Sequence, residues 1–310
     1  MLVLIMNLRH RFRGAILSLS IGDALGMPVE GLSPDEIRQR FGRVTDFLPS
    51  PFGDLNAGEW TDDTEQTILL AESILEKTYL NPENFAEKLK AWVELGVRIG
   101  PTTRKAIQNL AAGIPWSRSG VYADTCGAAM RVLPIGLVYH FSLELVERYA
   151  VISSIVTHRS DAAVAGAVAV AVATACVCSG MGHEKLIEEV VERTSDYDEL
   201  LADKIQYSFD ISSLEVDVAA DELGTSMSAW DAVPMAFYCF FSSKRYEECV
   251  LKAVNAGGDT DSIAAMAGGM KGAEVGIEVI PEKWVKKVKD SDYLIELADK
   301  LYDLYEKISA

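Results

Sequence analysis

Two short segments gather residue types suited to holding hard cations. One is Trp60-Thr61-Asp62-Asp63-Thr64, the other Gly257-Gly258-Asp259-Thr260-Asp261-Ser262. Each packs two carboxylates and at least one hydroxyl into a few residues, beside an apolar stretch that belongs in a core. Neither contains Lys or Arg. Buried carboxylates without partners are strongly disfavoured, so the pattern calls for a cation, and a pair of divalent ions held by oxygen is the simplest choice.

Taken alone, Thr61-Asp62-Asp63 also reads as an acidic helix cap, because Thr and Asp accept the orphan N–H groups of a first turn. Successive residues inside a helix point about 100° apart and do not share a face. The extended backbone just before a helix can instead turn all three side chains toward one point. Asp259 and Asp261 repeat the arrangement, and Gly257-Gly258 allows a tight backbone approach. If the two helix starts converge, four carboxylates and two hydroxyls surround two ions whose charges they roughly cancel. An oxygen-only shell suits Mg²⁺ or Mn²⁺.

Other residues could join such a site. Glu30 follows a small-residue helix end and turn, where a carboxylate acts as general acid or base or stays a solvated surface acid. His158 lies between two helices, placed to bind a substrate hydroxyl or phosphate or simply to cap a helix end. Thr125-Cys126-Gly127-Ala128-Ala129-Met130-Arg131 could cradle a phosphate through backbone N–H groups at a helix start.

The elements that must position these residues read as helices. Apolar residues recur at helical spacing over residues 14–25, 64–78, 84–97, 102–112, 128–141, 143–157, 184–193, 197–207, 230–241, 246–255, 261–274 and 293–308. Residues 161–178 form the longest apolar run, rich in Ala and slightly short for a membrane span; it reads as a helix buried on all sides. Strand signals are confined to Val44-Thr45-Asp46-Phe47-Leu48, and no βαβ rhythm appears. The fold class is therefore all-α, a single compact multi-helix domain over residues 1–310. Residues 194–224 read as a loop-rich insertion and residues 42–58 as an ordered surface loop. Met1-Leu2-Val3-Leu4-Ile5-Met6, followed by Arg9, Arg11 and Arg13, reads as a frayed or alternative start rather than a signal peptide.

The chain has 310 residues and a net charge of −17, which argues against nucleic acid or an anionic membrane as a standing partner. An anionic small substrate remains compatible, because bound metals invert the local field. Five cysteines, an odd number without a CxxC pair, read mainly as small hydrophobes in a reducing, cytoplasmic setting.

Together, Gly22-Asp23-Ala24-Leu25-Gly26 with Glu30, Trp60-Thr61-Asp62-Asp63-Thr64, Cys126-Gly127-Ala128-Ala129-Met130-Arg131, Thr157-His158 and Asn255-Ala256-Gly257-Gly258-Asp259-Thr260-Asp261-Ser262 stand in a characteristic order. They resemble the ADP-ribosylglycohydrolase family, the ADP-ribosyl-hydrolases related to dinitrogenase-reductase-activating glycohydrolase, from about Arg11 to Pro281. The resemblance implies a binuclear Mg²⁺ or Mn²⁺ centre. It also implies hydrolysis of the glycosidic bond at C1″ of ADP-ribose on a modified protein or small molecule. Thr61, Asp62, Asp63, Asp259, Asp261 and Ser262 match the metal ligands, with Ser262 where many members have Thr. Glu30 matches the acidic residue near the scissile bond, and Glu30 or Asp62 the base. Cys126, Gly127 and His158 match substrate-binding positions.

The sequence departs from the family after Gly224-Thr225-Ser226. Many relatives carry Gly-Tyr there; this chain has Met227-Ser228, and the nearest aromatic residue is Trp230. Two other readings compete. One is a member that binds ADP-ribose without cleaving it. The other is a Mg²⁺-dependent diphosphate enzyme, to which Asp62-Asp63-Thr64-Glu65 is loosely similar, although such an enzyme needs a second aspartate-rich motif on a facing helix.

Overall fold

The computed structural model describes residues 7–309. Among them the chain is all-α, with two isolated β-bridges and no extended strand. The helices run α1 Leu8–Gly26, α2 Pro34–Phe41, α3 Asp62–Lys77, α4 Pro82–Trp92, α5 Pro101–Ala111, α6 Trp116–Ser119 and α7 Leu133–Val138. They continue as α8 Leu143–Ile155, α9 Asp161–Cys178, α10 His183–Ser195, α11 Glu199–Asp210 and α12 Val216–Leu223. The last five are α13 Ala229–Phe241, α14 Tyr246–Val254, α15 Thr260–Val275, α16 Glu282–Lys287 and α17 Ser291–Ile308.

At the centre, α1 and α15 lie antiparallel, backbone against backbone. Every fourth residue on the facing stripes is small: Gly14, Ser18, Gly22 and Gly26 on α1, and Thr260, Ala264, Gly268 and Gly272 on α15. A Cβ on Gly22 would fall 2.1 Å from the Ala264 carbonyl oxygen, and one on Gly272 would fall 2.2 Å from that of Gly14. At the far end of the stripe Gly26 meets Thr260 in the same way. This contact carries the start of α15, with Asp259 and Asp261, to the end of α1 and the turn that bears Glu30.

Helix α9 packs beside this pair. Every residue from Ala162 to Cys178 is buried, which is the all-round burial expected of the longest apolar run. Its length and hydropathy alone would let it cross a membrane, but α7, α8, α10, α13 and α15 pack against it. All five cysteines are buried and free.

Three local expectations differ from the structure. Val44 is not in a strand: its N–H donates to the Asn255 side-chain oxygen at 2.9 Å, and its carbonyl accepts from the Asn255 amide at 3.0 Å. One side chain thus supplies the pairing that a neighbouring strand would. The segment 128–141 is not one helix; a 3₁₀ turn Cys126–Ala128 precedes α7, which Pro134 restricts to a fresh start. The polar stretch 194–224, read as loop-rich around a helix over 197–207, contains that helix as α11 and a second one, α12. Their buried residues, Leu201, Ala202, Ile205, Ala219, Ala220 and Leu223, form narrow stripes within polar helices. Residues 1–6 lie outside the described residues, and with them the alternative start.

The α1–α15 contact makes a direct prediction. Gly22→Ala drives its new methyl into backbone that has no rotamer to move, and should lower stability by about 1–3 kcal/mol or more in denaturant titration. Gly182→Ala, where nothing lies within 4 Å of the added Cβ, should stay within about 1 kcal/mol of the parent.

Candidate metal centre and substrate cleft

The start of α3 is held by a residue of α1. Asp23 is fully buried and accepts four hydrogen bonds: from the Thr61 N–H at 3.0 Å, the Thr61 hydroxyl at 2.9 Å, the Thr64 N–H at 3.0 Å and the Thr64 hydroxyl at 2.6 Å. Burial pushes its carboxyl up to about 6 against the pull of those bonds. Asp23 therefore caps α3 from outside, and the acids of the cap, Asp62 and Asp63, are released to face a cleft. A lone acid inside an apolar helix was the sequence signal for this role, and it was read only as part of a motif.

The start of α15 is shaped by Gly257 and Gly258, both with positive φ. Two backbone bonds tie this turn to the chain around Glu30: Gly31 N–H to the Gly258 carbonyl and Gly258 N–H to the Leu32 carbonyl, both 2.8 Å. A side chain at Gly258 would strike the Thr225 carbonyl, which accepts from the Asp259 N–H at 2.7 Å.

The two helix starts converge on one cleft of about 400 Å³. Glu30, Asp62, Asp63, Asp259, Asp261 and Ser262 all line it, as do Cys126, Gly127 and His158. Carboxylate oxygens of Glu30, Asp259 and Asp261 lie within 4.8 Å of one another. Burial, and then repulsion from neighbouring acids, pushes the carboxyls of Asp62, Asp63 and Asp261 well above the usual range. Asp259 is raised by burial, and Glu30 by burial and by Asp259, with Arg98 opposing.

These residues fit divalent cations. Asp63 Oδ2 is buried without a hydrogen-bond partner among the described residues. A cation is the partner such an oxygen lacks, and the carboxylates of Asp62, Asp63, Asp259 and Asp261 with the Ser262 hydroxyl supply hard oxygens around it. Thr61 does not line the cleft. Its hydroxyl gives its proton to Asp23 and accepts weakly from the Asp63 N–H at 3.4 Å, so one lone pair remains for an ion. Cys126 Sγ donates to Asp259 Oδ2 at 3.0 Å, and burial with Asp259 raises its thiol well above the ordinary value. Here Cys126 acts as a neutral donor that orients a carboxylate.

A hydrogen-bond relay forms the opposite wall. Asp62 accepts from the Gln66 amide at 2.7 Å, and Gln66 accepts from Arg131. The buried Arg131 also donates to the Thr157 hydroxyl at 2.6 Å. Thr157 Oγ1 lies 2.8 Å from His158 Nδ1, and His158 Nε2 lies 3.0 Å from Thr125 Oγ1. Burial, with Arg131 nearby, pushes His158 down to about 3, so its ring is neutral. With the imidazole proton on Nε2, Nδ1 accepts from the Thr157 hydroxyl and Nε2 donates to Thr125. The Thr125 hydroxyl proton is then left to donate into the cleft. Gly127 makes room for this ring: a Cβ there would sit 2.7 Å from His158.

Trp230 does not line the cleft; its indole N–H donates to Asp198 at 3.0 Å. Met227 lines the cleft and is exposed. At its departure after Gly224 this chain thus presents a thioether to the cleft. Asp23, Gln66 and Arg98 were not singled out from the sequence, because their roles depend on partners 38 to 68 residues away.

The family model described as ADP-ribosylglycohydrolase matches residues 5–310. The chain belongs to the ADP-ribosylglycohydrolase family. An uncharacterised protein of Archaeoglobus fulgidus is 60% identical over 303 residues, covering 97% of this chain and 99% of its own. An ADP-ribosylarginine hydrolase, Tri1, of Pseudomonas putida is 29% identical, covering 94% of this chain and 78% of its own. A solved structure, described as an ADP-ribosylglycohydrolase-related protein complex, superposes with a TM-score of 0.82 at 29% identity, covering 96% of this chain and 99% of its own. The all-α architecture read from helical periodicity is that of this family.

The acidic cleft predicts cation-linked stability. An ion that binds only the folded chain should stabilise it by about 2.7 kcal/mol at 100 times its Kd. Mg²⁺ or Mn²⁺ should therefore raise Tm, chelator should reverse the rise, and Asp63→Asn should remove most of it in thermal scans.

Proposed function

We propose that the chain is a metal-dependent hydrolase of the glycosidic bond at C1″ of ADP-ribose, acting on a modified protein or an ADP-ribose-containing small molecule. The observation that carries this reading is the convergence of five carboxylates, one with an orphaned buried oxygen, on a cleft in a chain of this family.

Asp62, Asp63, Asp259 and Asp261, with Thr61 and Ser262, would hold two divalent cations, Mg²⁺ or Mn²⁺. When bound, such ions bind sugar hydroxyls and stabilise charge in the transition state. The remaining work belongs to this chain's own residues. Cleavage at C1″ develops oxocarbenium character, which an acid-lined cleft stabilises. Glu30 stands at the mouth with its carboxyl raised by burial and by Asp259, which makes it a better holder of a proton than a free glutamate. Its role is to move the proton of the attacking water or leaving group. Asp62 is tied to Gln66, a bond that supports an orienting role rather than a mobile one. The Thr125 hydroxyl, with its proton free, donates to an acceptor such as a substrate hydroxyl or phosphate oxygen. Met227 offers its thioether to the adenine.

The name of the Pseudomonas putida relative makes the arginine linkage the first to test. The experiment is release of free ADP-ribose from arginine- and serine-linked ADP-ribosyl peptides with Mg²⁺, with Mn²⁺ and with chelator. Metal-dependent release from one linkage is expected. Asp62→Asn and Asp261→Asn should each lower kcat by about 100-fold or more, the scale of losing one transition-state stabiliser, while circular dichroism stays that of the parent. Tight calorimetric binding of ADP-ribose with no release from any adduct would replace this reading with that of a non-hydrolysing binder.

A further inference from the structure

Arg98 is the one Arg or Lys among the described residues that line the cleft. Its backbone is left-handed, with φ 53°, a region that non-glycine residues seldom occupy. The cause lies on either side. The Val97 N–H is pinned to Glu65 Oε2 at 3.0 Å, and the backbone at Gly100 bonds to Asp62. The chain between these anchors turns sharply, and the turn sends the Arg98 side chain along the mouth of the cleft, where it is 15% exposed.

Both edges of the guanidinium are used. Nε donates to Asp54 Oδ2 at 3.0 Å, and Nη2 to Asp54 Oδ1 at 3.2 Å and to Ser50 Oγ at 2.6 Å. That bidentate pair fixes the plane of the fork. The remaining nitrogen, Nη1, reaches Glu30 Oε2 at 3.3 Å and the Met27 carbonyl at 3.4 Å. Glu30 needs such a tether. Its side chain is 39% exposed at an open mouth, and its carboxylate lies within 4.8 Å of those of Asp259 and Asp261.

We propose that Arg98 is a positioning residue: clamped by Asp54 and Ser50, it holds the Glu30 carboxylate in reach of the scissile bond. The inference rests on the hydrolase reading of the cleft. A lysine would not substitute, because a single ammonium cannot pair two-pronged with Asp54 and still present a separate donor to Glu30.

The test compares wild type, Arg98→Gly, Arg98→Lys and Asp54→Asn by ADP-ribose release and by Mn²⁺ calorimetry. Glycine accepts the left-handed backbone, so Arg98→Gly removes the fork without straining the turn. Its kcat should fall about 10-fold or more, with KM and the Mn²⁺ Kd within about 3-fold of wild type. Arg98→Lys should recover little of the loss, and Asp54→Asn, outside the cleft, should lower kcat in the same direction. Unchanged kcat in Arg98→Gly overturns the proposal, as does a loss confined to KM or to Mn²⁺ affinity. Crystals of wild type and Arg98→Gly with Mn²⁺ test it without turnover. Glu30 should be ordered against Arg98 in the first and spread over rotamers in the second, and one shared rotamer overturns the proposal. A wild type that releases nothing while Glu30 still loses its order in Arg98→Gly would defeat the hydrolase reading and leave the tether standing.

Discussion

The backbone contact between α1 and α15 is the constraint on which the site depends. With Gly14, Gly22 and Gly26 facing Gly272, Ala264 and Thr260, the two helices approach backbone to backbone. Interiors at this density resist sliding, because any shift in register puts a Cβ into a carbonyl. The register therefore determines where α15 begins relative to where α1 ends. Asp259, Asp261 and Glu30 meet as a result of that register. Asp23, on the same helix as the glycine stripe, extends the arrangement to α3 by accepting from Thr61 and Thr64.

Electrostatically the site is assembled against its own repulsion. Five carboxylates share one cleft, and neighbouring acids raise the carboxyls of Asp63 and Asp261 beyond what burial does. The starts of α3 and α15 both contribute positive dipole ends there, a modest offset that falls away within a turn. Two arginines supply fixed charge at opposite sides. Arg131, fully buried, reaches Asp62 through Gln66, while Arg98 reaches Glu30 directly. Neither touches the Asp63 oxygen that lacks a partner among the described residues.

The wall opposite the acids works through neutral groups. Arg131, Thr157, His158 and Thr125 form one hydrogen-bonded series that starts from the Arg131 guanidinium. Burial keeps His158 uncharged, so the relay presents a hydroxyl donor rather than an imidazolium. The solved relative shares the fold at 29% identity. An architecture set by a few close contacts and a polar cluster accommodates wide change elsewhere, and the Met227 position is one place where this chain uses that latitude.

Much of this was legible in the chain itself. Helical periodicity sets α3, α9, α15 and α17, because a 3.6-residue apolar repeat has few other ways to bury itself. The acid-and-hydroxyl starts at Thr61 and Asp259 announced a cation site, since carboxylates beside core helices need partners. Local pattern misled where tertiary partners took over. Val44 found Asn255 instead of a strand, and the polar surface of α12 hid its narrow apolar stripe. Sequence by itself determined the helices and the stock of ligands, because both follow from residue type and short-range spacing. Only the tertiary structure decided that Asp23 anchors α3, that Arg98 tethers Glu30 and that Thr61 faces Asp23 rather than the cleft. Those outcomes depend on distances between residues far apart in the chain, and the crossing of α1 and α15 determines those distances.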